Sequence, residues 1–333
     1  MSIQVGSPGL LTSVQDLGRR GYQHLGVGTA GAMDPVSHRL ANLLVGNPAG
    51  AATLEITLAG PALLFERDAL IALCGANLTP DIEGEPVRMW RPTLVRAGST
   101  LGFGAPQAGC RCYLAVAGGF QVPEVMQSRS TQIKAGFGGF QGRPLKQGDR
   151  LDTGPCREPY PDLRRRFDRS ERPCMALDWF PAWYRELEFA RPAGLRVIPG
   201  PQWPLLTAAA RRSFLEEGFQ VGPNSDRMGL RLTGPRLALE KPMEMISSGV
   251  APGTLQLPPD GAPILLMADR QTTGGYPRLG ELASVDLARA AQLRSLEAVR
   301  FSTISLEQAQ ELLLQREARF RALERTLAER QTF

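Results

Sequence analysis

A nine-residue stretch occurs twice in this chain. Leu58-Ala-Gly60-Pro61-Ala-Leu63-Leu-Phe-Glu66 lines up with Leu232-Thr-Gly234-Pro235-Arg-Leu237-Ala-Leu-Glu240, five identities in nine. Two shorter echoes keep the same order: Gly21-Tyr-Gln23 with Gly218-Phe-Gln220 upstream, and Gly84-Glu-Pro86 with Gly261-Ala-Pro263 downstream. An ordered repeat of this kind points to duplication of one folding unit; chance similarity in a Gly- and Pro-rich chain is the competing explanation. The length agrees with duplication, since 333 residues is about twice a usual domain. An Arg/Pro-rich stretch, residues 154–173, and the Pro192-Ala-Gly194 break lie between the copies. The expected division is therefore residues 1–192, residues 193–301 and a terminal segment, residues 302–333.

Each copy reads as mainly β. Apolar runs are short and end at Gly or Pro: residues 69–76, 110–117, 195–198, 229–239 and 263–268, in a chain with 36 Gly and 27 Pro. That punctuation suits barrels or sandwiches. Period-2 alternation places Cys110, Cys112, Leu114 and Val116 on one face, so these cysteines read as small core residues. Helices are fewer. Asp34 followed by Pro35 is an N-cap with proline at the first helical position, starting a helix that ends near Gly46. Others are expected over residues 207–217 and about 286–296. In the last segment Ser305 and Gln308 form a capping box ahead of a stripe of Leu306, Ala309, Leu313, Phe320, Leu323 and Leu327. The stripe suits docking onto its own protein, with a partner or oligomer contact as the alternative; Arg316 interrupts it where a coiled coil would stay apolar.

Composition removes several classes. Five cysteines and two histidines argue against a disulfide framework and a structural zinc site, and no metal centre is expected. No run approaches the roughly 20 apolar residues of a membrane span, and residues 1–15 lack both charge and an apolar leader core, so the expected location is cytoplasmic. A net charge of +5 hints at a polyanion partner, but the densest cluster, Arg164-Arg165-Arg166 with Arg157, Arg169 and Arg172, is interleaved with Glu158, Asp162, Asp168 and Glu171. It reads as a solvated linker, not a nucleic-acid surface. There is no Gly-Lys pair for a P-loop, no G-x-S-x-G and no H-E-x-x-H. Gly26 to Gly31 satisfies G-x-G-x-x-G, but no buried strand precedes it. Met243-Glu244-Met245 has glutamate where a biotin attachment site needs lysine.

Three polar, glycine-rich loops remain, the mixture in which backbone N–H groups line anion or oxyanion sites. They are Gln15-Asp16-Leu-Gly18-Arg19-Arg-Gly21 with His24 and Asp34; Gly118-Gly119 through Ser128-Arg-Ser130-Thr131; and Asp269-Arg270-Gln271-Thr272-Thr273-Gly274-Gly275-Tyr276. Singly, each also reads as a structural turn, with Asp16 or Asp269 as an Asx-turn acceptor and His24 as an ordinary loop histidine. Three together favour an enzyme-like cleft.

The motif Thr12-Ser-Val14-Gln15-Asp16-Leu-Gly18-Arg19-Arg-Gly21, together with Glu55 before Gly60-Pro61, Tyr113 to Gly119, Ser128-Arg-Ser-Thr131, Ser225-Asp-Arg227-Met228-Gly229 and Asp269 to Tyr276, resembles one family. It is the carboxyltransferase-type family that includes the C-type subunit of 5-oxoprolinase, the second subunit of allophanate hydrolase and KipA, and the resemblance covers residues 3–301. Two departures stand out: the family usually has Gly where this chain has Gln127, and Asn where it has Asp226. The resemblance implies two tandem cyclophilin-like β-barrel domains plus a C-terminal helix. It also implies a homologous B-type partner (like the first subunit of allophanate hydrolase, or KipI), and an A-type subunit in the oxoprolinase. Activities in the family differ: ATP-dependent opening of 5-oxoproline to glutamate, transfer of carboxylate from carboxybiotin to urea, or regulation by binding a kinase inhibitor. The first is the expected function, with ATP bound here or by a partner.

Both enzymatic branches act on an amide-like C(=O)–N group, so donors are needed where charge builds on oxygen. The expected arrangement has N–H groups of Gly274 and Gly275 and the hydroxyls of Thr272 and Thr273 holding the carbonyl, covered by Tyr276. Arg19 or Arg270 neutralises an anionic group, and Asp16, Asp269 or His24 moves protons. Gln15, Ser130, Thr131, Arg227 and Gln271 complete the expected binding residues from the family motifs.

Overall fold

The short apolar runs of the first half become two six-stranded sheets around one core. The computed structural model describes residues 2–156, 159–181, 183 and 193–330; Arg157, Glu158 and Pro192 lie outside the described residues. Contacts divide the chain into two compact units, unit 1 comprising Met1–Arg19, Asp34–Leu187 and Phe320–Phe333, and unit 2 comprising Arg20–Met33 and Glu188–Arg319.

In unit 1, one sheet runs Arg150–Asp152, Ser2–Ser7, Ala62–Phe65, Thr100–Phe103, Pro80–Ile82, Glu85–Pro86. The other runs Cys174–Ala176, Thr93–Val95, Ala69–Asn77, Ala108–Val116, Thr53–Thr57, Leu11–Gln15. Ile3, Leu63, Phe65 and Leu101 of the first sheet meet Val14, Leu54, Ile71 and Leu114 of the second in one buried cluster. Each such side chain contributes about 1.5–3 kcal/mol by leaving water. Cys110 and Cys112 are buried and form no disulfide, as expected of core residues. The helix Pro35–Leu44 lies over the second sheet, touching Ala69–Asn77 and Ala108–Val116. Asp34 caps it by accepting from Val36 N and Ser37 N, both at 3.0 Å.

Unit 2 is a closed barrel of seven strands, in order Ala193–Pro199, Arg278–Leu282, Thr254–Gln256, Ile264–Leu266, Gly229–Thr233, Phe219–Val221, Ala298–Thr303. A parallel pairing, Ala193 opposite Val299, closes it. Its core stacks Phe214 of the helix Ala208–Glu216 on Phe301, ring centroids 4.8 Å apart, with Leu195, Val197, Leu255, Leu265 and Leu279 around them.

The sequence echo marks the same device in both units. In unit 1 Gly60 lies in the turn between the strands Thr53–Thr57 and Ala62–Phe65, where a Cβ would lie 2.3 Å from Phe103 Cγ; in unit 2 Gly234 directly follows the strand Gly229–Thr233, where a Cβ would lie 3.0 Å from Phe219 Cδ1. A phenylalanine ring closes on each glycine, and proline follows. The run expected over residues 229–239 accordingly stops at Thr233.

Three expectations need correction. The helix expected over residues 286–296 spans only Leu287–Ala291, because Gln292 and Leu293 turn back onto Arg289 and Ala290 carbonyls at 3.1 and 3.2 Å. The Arg-rich stretch is not a solvated linker throughout: it contains the helix Pro161–Asp168. Leu163 and Phe167, one helical turn apart, are fully buried, Tyr160 Oη donates to Leu44 O at 2.9 Å, and Arg96 lies 4.3 Å over the Phe167 ring. The C-terminal helix Leu306–Arg330 opens with the expected capping box, Gln308 N to Ser305 Oγ at 3.2 Å and Ser305 N to Gln308 Oε1 at 3.1 Å. Leu306 heads the expected stripe but is 51% exposed, whereas Phe320, Leu323 and Leu327 are buried and Phe320 packs 4.2 Å from Trp183. Arg316 donates to Ser284 O, which explains its place in the stripe. No helix among the described residues is long and apolar enough to cross a membrane.

Candidate functional site

The expected site residues fall into two clusters, one in each unit. In unit 1 the chain leaves the strand Leu11–Gln15 and Asp16 turns its carboxylate onto the Ser128–Thr131 loop. That carboxylate accepts from Gly18 N and Ser128 Oγ, both at 2.8 Å, and from Ser130 Oγ and Arg129 N. Asp16 N donates back to Ser130 Oγ at 2.9 Å. Four protein donors occupy the oxygens intended for proton transfer, so Asp16 serves here as the hub that holds two loops together. Thr131 bonds Val14 O through both N and Oγ1 at 2.9 Å, and Gln15 Nε2 reaches Ser13 Oγ at 3.0 Å and Thr131 O at 3.3 Å.

Arg19 is fully buried. It donates from Nε to Val125 O at 2.9 Å and from Nη2 to Ser130 O at 3.1 Å, with its guanidinium 4.7 Å over Phe137. Burial lowers its pKa, partly countered by Asp16. Its Nη1 has no protein partner. Nε and Nη2 are thus engaged by backbone carbonyls, and a Cβ on Gly138 would lie 2.8 Å from Nη2.

Beside this loop lies a buried network that the site expectations did not include. Tyr113 Oη donates to Glu55 Oε2 at 2.7 Å and accepts from Asp34 N at 2.8 Å, while His38 Nδ1 sits 2.9 Å from Thr53 Oγ1. Burial pushes His38 down to about 4, against the pull of Asp16 and Glu55. It pushes Tyr113 well up, reinforced by Glu55 and Asp34. Glu55 and Tyr113 stood in the family motifs; His38 had no local signal beyond the buried face of its helix.

In unit 2 Arg227 and Asp269 form a bidentate pair, Nε to Oδ2 at 2.8 Å and Nη2 to Oδ1 at 2.9 Å, both side chains 4% exposed. Arg227 Nη2 also donates to Gly31 O at 2.7 Å. As at Asp16, both carboxylate oxygens of Asp269 accept hydrogen bonds from the protein. Arg270 donates to Val250 O from Nε and to Thr29 Oγ1 from Nη1, each at 3.1 Å; burial lowers it to about 10, with Glu281 opposing. The loop that follows is different. Thr273–Gly274 pairs with Ser248–Gly249, and Thr272 O accepts Val250 N at 3.1 Å, leaving Gln271, Thr273, Gly275 and Tyr276 exposed. Gly275 and Tyr276 border a cavity of about 910 Å³ lined also by Leu237, Met243, Met245 and Leu257. Gly274 is backed by Gln256: a Cβ would lie 2.3 Å from Gln256 Nε2. Gln256 was not among the expected residues. His24 is exposed in the short turn Gln23–Leu25. Among the described residues no group of three or more His, Cys, Asp or Glu is placed to hold a metal ion.

The model of the carboxyltransferase domain, subdomain A and B, matches residues 25–303. The chain belongs to this carboxyltransferase domain family. It is similar to the C-type subunit of 5-oxoprolinase from Escherichia coli K12, 39% identical over 302 residues that make up 90% of this chain and 91% of that one. The subunit of the same name from Haemophilus influenzae is 34% identical over 90% of each chain. Among solved structures, the K. lactis urea amidolyase superposes with a TM-score of 0.83 at 31% identity, covering 97% of this chain and 20% of the amidolyase. Within this carboxyltransferase domain, the Arg227–Asp269 pair and the Thr272–Tyr276 loop lie inside the matched residues; Gln15, Asp16, Arg19 and His24 precede them.

Proposed function

We propose that this chain is the C-type subunit of an ATP-dependent 5-oxoprolinase, which opens the lactam of 5-oxo-L-proline to L-glutamate together with partner subunits. The observation that carries the reading is reciprocal coverage: the match to the E. coli subunit spans 90% of this chain and 91% of that one. In the reaction, water adds to the lactam carbonyl carbon, the C–N bond breaks, and the nitrogen leaves as the amino group of glutamate while ATP is hydrolysed. The accessible groups suited to this carbonyl are those of the Thr272–Tyr276 loop, with Thr273 Oγ1 and the Gly275 N–H as donors and Tyr276 as cover. The Arg227–Asp269 pair and the Asp16 hub fix the loops and do not touch substrate.

The helices Pro35–Leu44 and Ala208–Glu216 carry their own acceptors at the N-terminal positions that favour phosphate: Asp34 takes the N–H groups of Val36 and Ser37, and Thr207 takes that of Ala210. ATP is assigned to a partner, a B-type subunit homologous to this family's usual companion or an A-type subunit. A second reading, a carboxyltransferase acting on a urea-like amide, is favoured by the TM-score of 0.83 to the amidolyase. Co-expression with candidate B- and A-type partners separates the two. Glutamate formed from 5-oxoproline only with ATP supports the first, whereas bicarbonate-dependent, avidin-sensitive carboxylation without glutamate replaces it by the second.

A further inference from the structure

A small cavity of about 170 Å³ in unit 1 shares no residue with the Asp16 loop. It lies where both sheets end, between the edge strands Glu85–Pro86 and Cys174–Ala176 and the helix Pro161–Asp168. Thr93 lines it, is 1% exposed, and leaves its Oγ1 without a hydrogen-bond partner. An unpaired buried hydroxyl costs roughly 1–3 kcal/mol, so something that accepts or donates a hydrogen bond there recovers that loss.

Charge at the mouth decides the ligand. Arg88, Arg166 and Arg172 line it with the carboxylates of Glu85 and Asp178. Arg172 is 3.1 Å from Glu85 and Arg88 is 3.5 Å from Asp178, so both carboxylates are already matched. Arg166 has no carboxylate partner among the described residues. A water would satisfy Thr93 but leave the guanidinium charge unmatched, and a cation would face three arginines. A space of about 170 Å³ holds several waters and accommodates a phosphate-sized or small carboxylate anion.

We propose that this cavity binds a small oxyanion, with Thr93 Oγ1 donating from its floor and Arg166 closing on it from the mouth. The Arg-rich stretch that looked like a linker thereby acquires a ligand-binding role outside the candidate amidase site. Thermal unfolding of the full chain at constant ionic strength tests it, with sodium phosphate and sodium acetate as separate arms and sodium chloride as the baseline. Phosphate, acetate or both are expected to raise the midpoint in a saturable way, and the arm that does so identifies the anion class. Arg166→Ala is expected to weaken the apparent affinity about tenfold, as loss of a charge-assisted bond does. Thr93→Val is expected to weaken it as well, yet to unfold without added anion at the same or a higher temperature than the native chain, since the unpaired hydroxyl is gone. Arg165→Ala, whose side chain pairs with Asp162 instead, should respond like the native chain. Responses of the Arg166 and Thr93 variants equal to the native one, or a native response no larger than that to chloride, overturn the proposal.

Discussion

Complete burial keeps the His38 imidazole neutral in the folded protein, with its pKa near 4, while in the unfolded chain it takes a proton near 6.5. The unfolded state therefore binds more protons between those values. Stability from this group is complete above pH 6.5 and is lost as pH falls toward 4, by about 2 kcal/mol between pH 7.5 and 5. Urea unfolding of the native chain and His38→Gln at both pH values should show a steeper loss in the native chain; parallel losses would contradict it. Gln127 offers a second residue-scale prediction. It holds φ 58°, a left-handed conformation that favours glycine. Gln127→Gly should raise stability by about 1 kcal/mol, measured by urea midpoint. Asp226, the other departure, accepts from Met228 N at 2.7 Å, a turn that Asn would make equally well. At this scale the site was legible in part. The polar residues of the loops were visible as motifs, but their roles were not. Whether an aspartate moves protons or anchors loops depends on donors brought from 114 residues away, as Ser130 is brought to Asp16.

Elements that announce themselves locally were read correctly: the Asp34-capped helix, the helix after Thr207 and the Ser305 capping box depend on neighbours within four residues. The helix Pro161–Asp168 was missed because its apolar content is only Leu163 and Phe167, and its stability comes from the surface it docks on. The contact of the Thr273–Gly274 strand with Gln256 makes a test at this scale. Gly274→Ala drives a Cβ into the Gln256 amide and should cost about 1–3 kcal/mol. Adding Gln256→Ala should recover part of that cost in a double-mutant cycle, whereas strictly additive losses would show that the two positions do not meet. For the terminal helix, Phe320→Ala removes a fully buried ring held between Trp183 and the Arg39 guanidinium, 3.7 Å above it. It should cost about 3–5 kcal/mol and expose Arg321 and Arg325 to trypsin; unchanged cleavage would mean that Phe320 does not hold the helix down.

For the whole molecule, the repeated nine-residue stretch was the most informative feature. It marks a ring-backed glycine followed by proline in each of two units, yet it did not reveal that unit 2 closes into a barrel while unit 1 arranges its strands as two six-stranded sheets. Nor did it indicate that Arg20–Met33 belongs with unit 2; such membership rests on long-range bonds, including Arg227 to Gly31 O and Arg270 to Thr29 Oγ1. Of the buried arginines and aspartates described above, Arg227 and Asp269 serve one another, whereas Asp16, Arg19 and Arg270 bond backbone and hydroxyl groups. The most direct measurement is glutamate release from 5-oxoproline by purified partner subunits and ATP, with this chain present, absent, or carrying Thr273→Ala. Release that requires the chain and falls about 100-fold with Thr273→Ala, in a complex of unchanged composition and melting temperature, is the predicted result; release at the same rate without the chain, or with Thr273→Ala at the native rate, would contradict it.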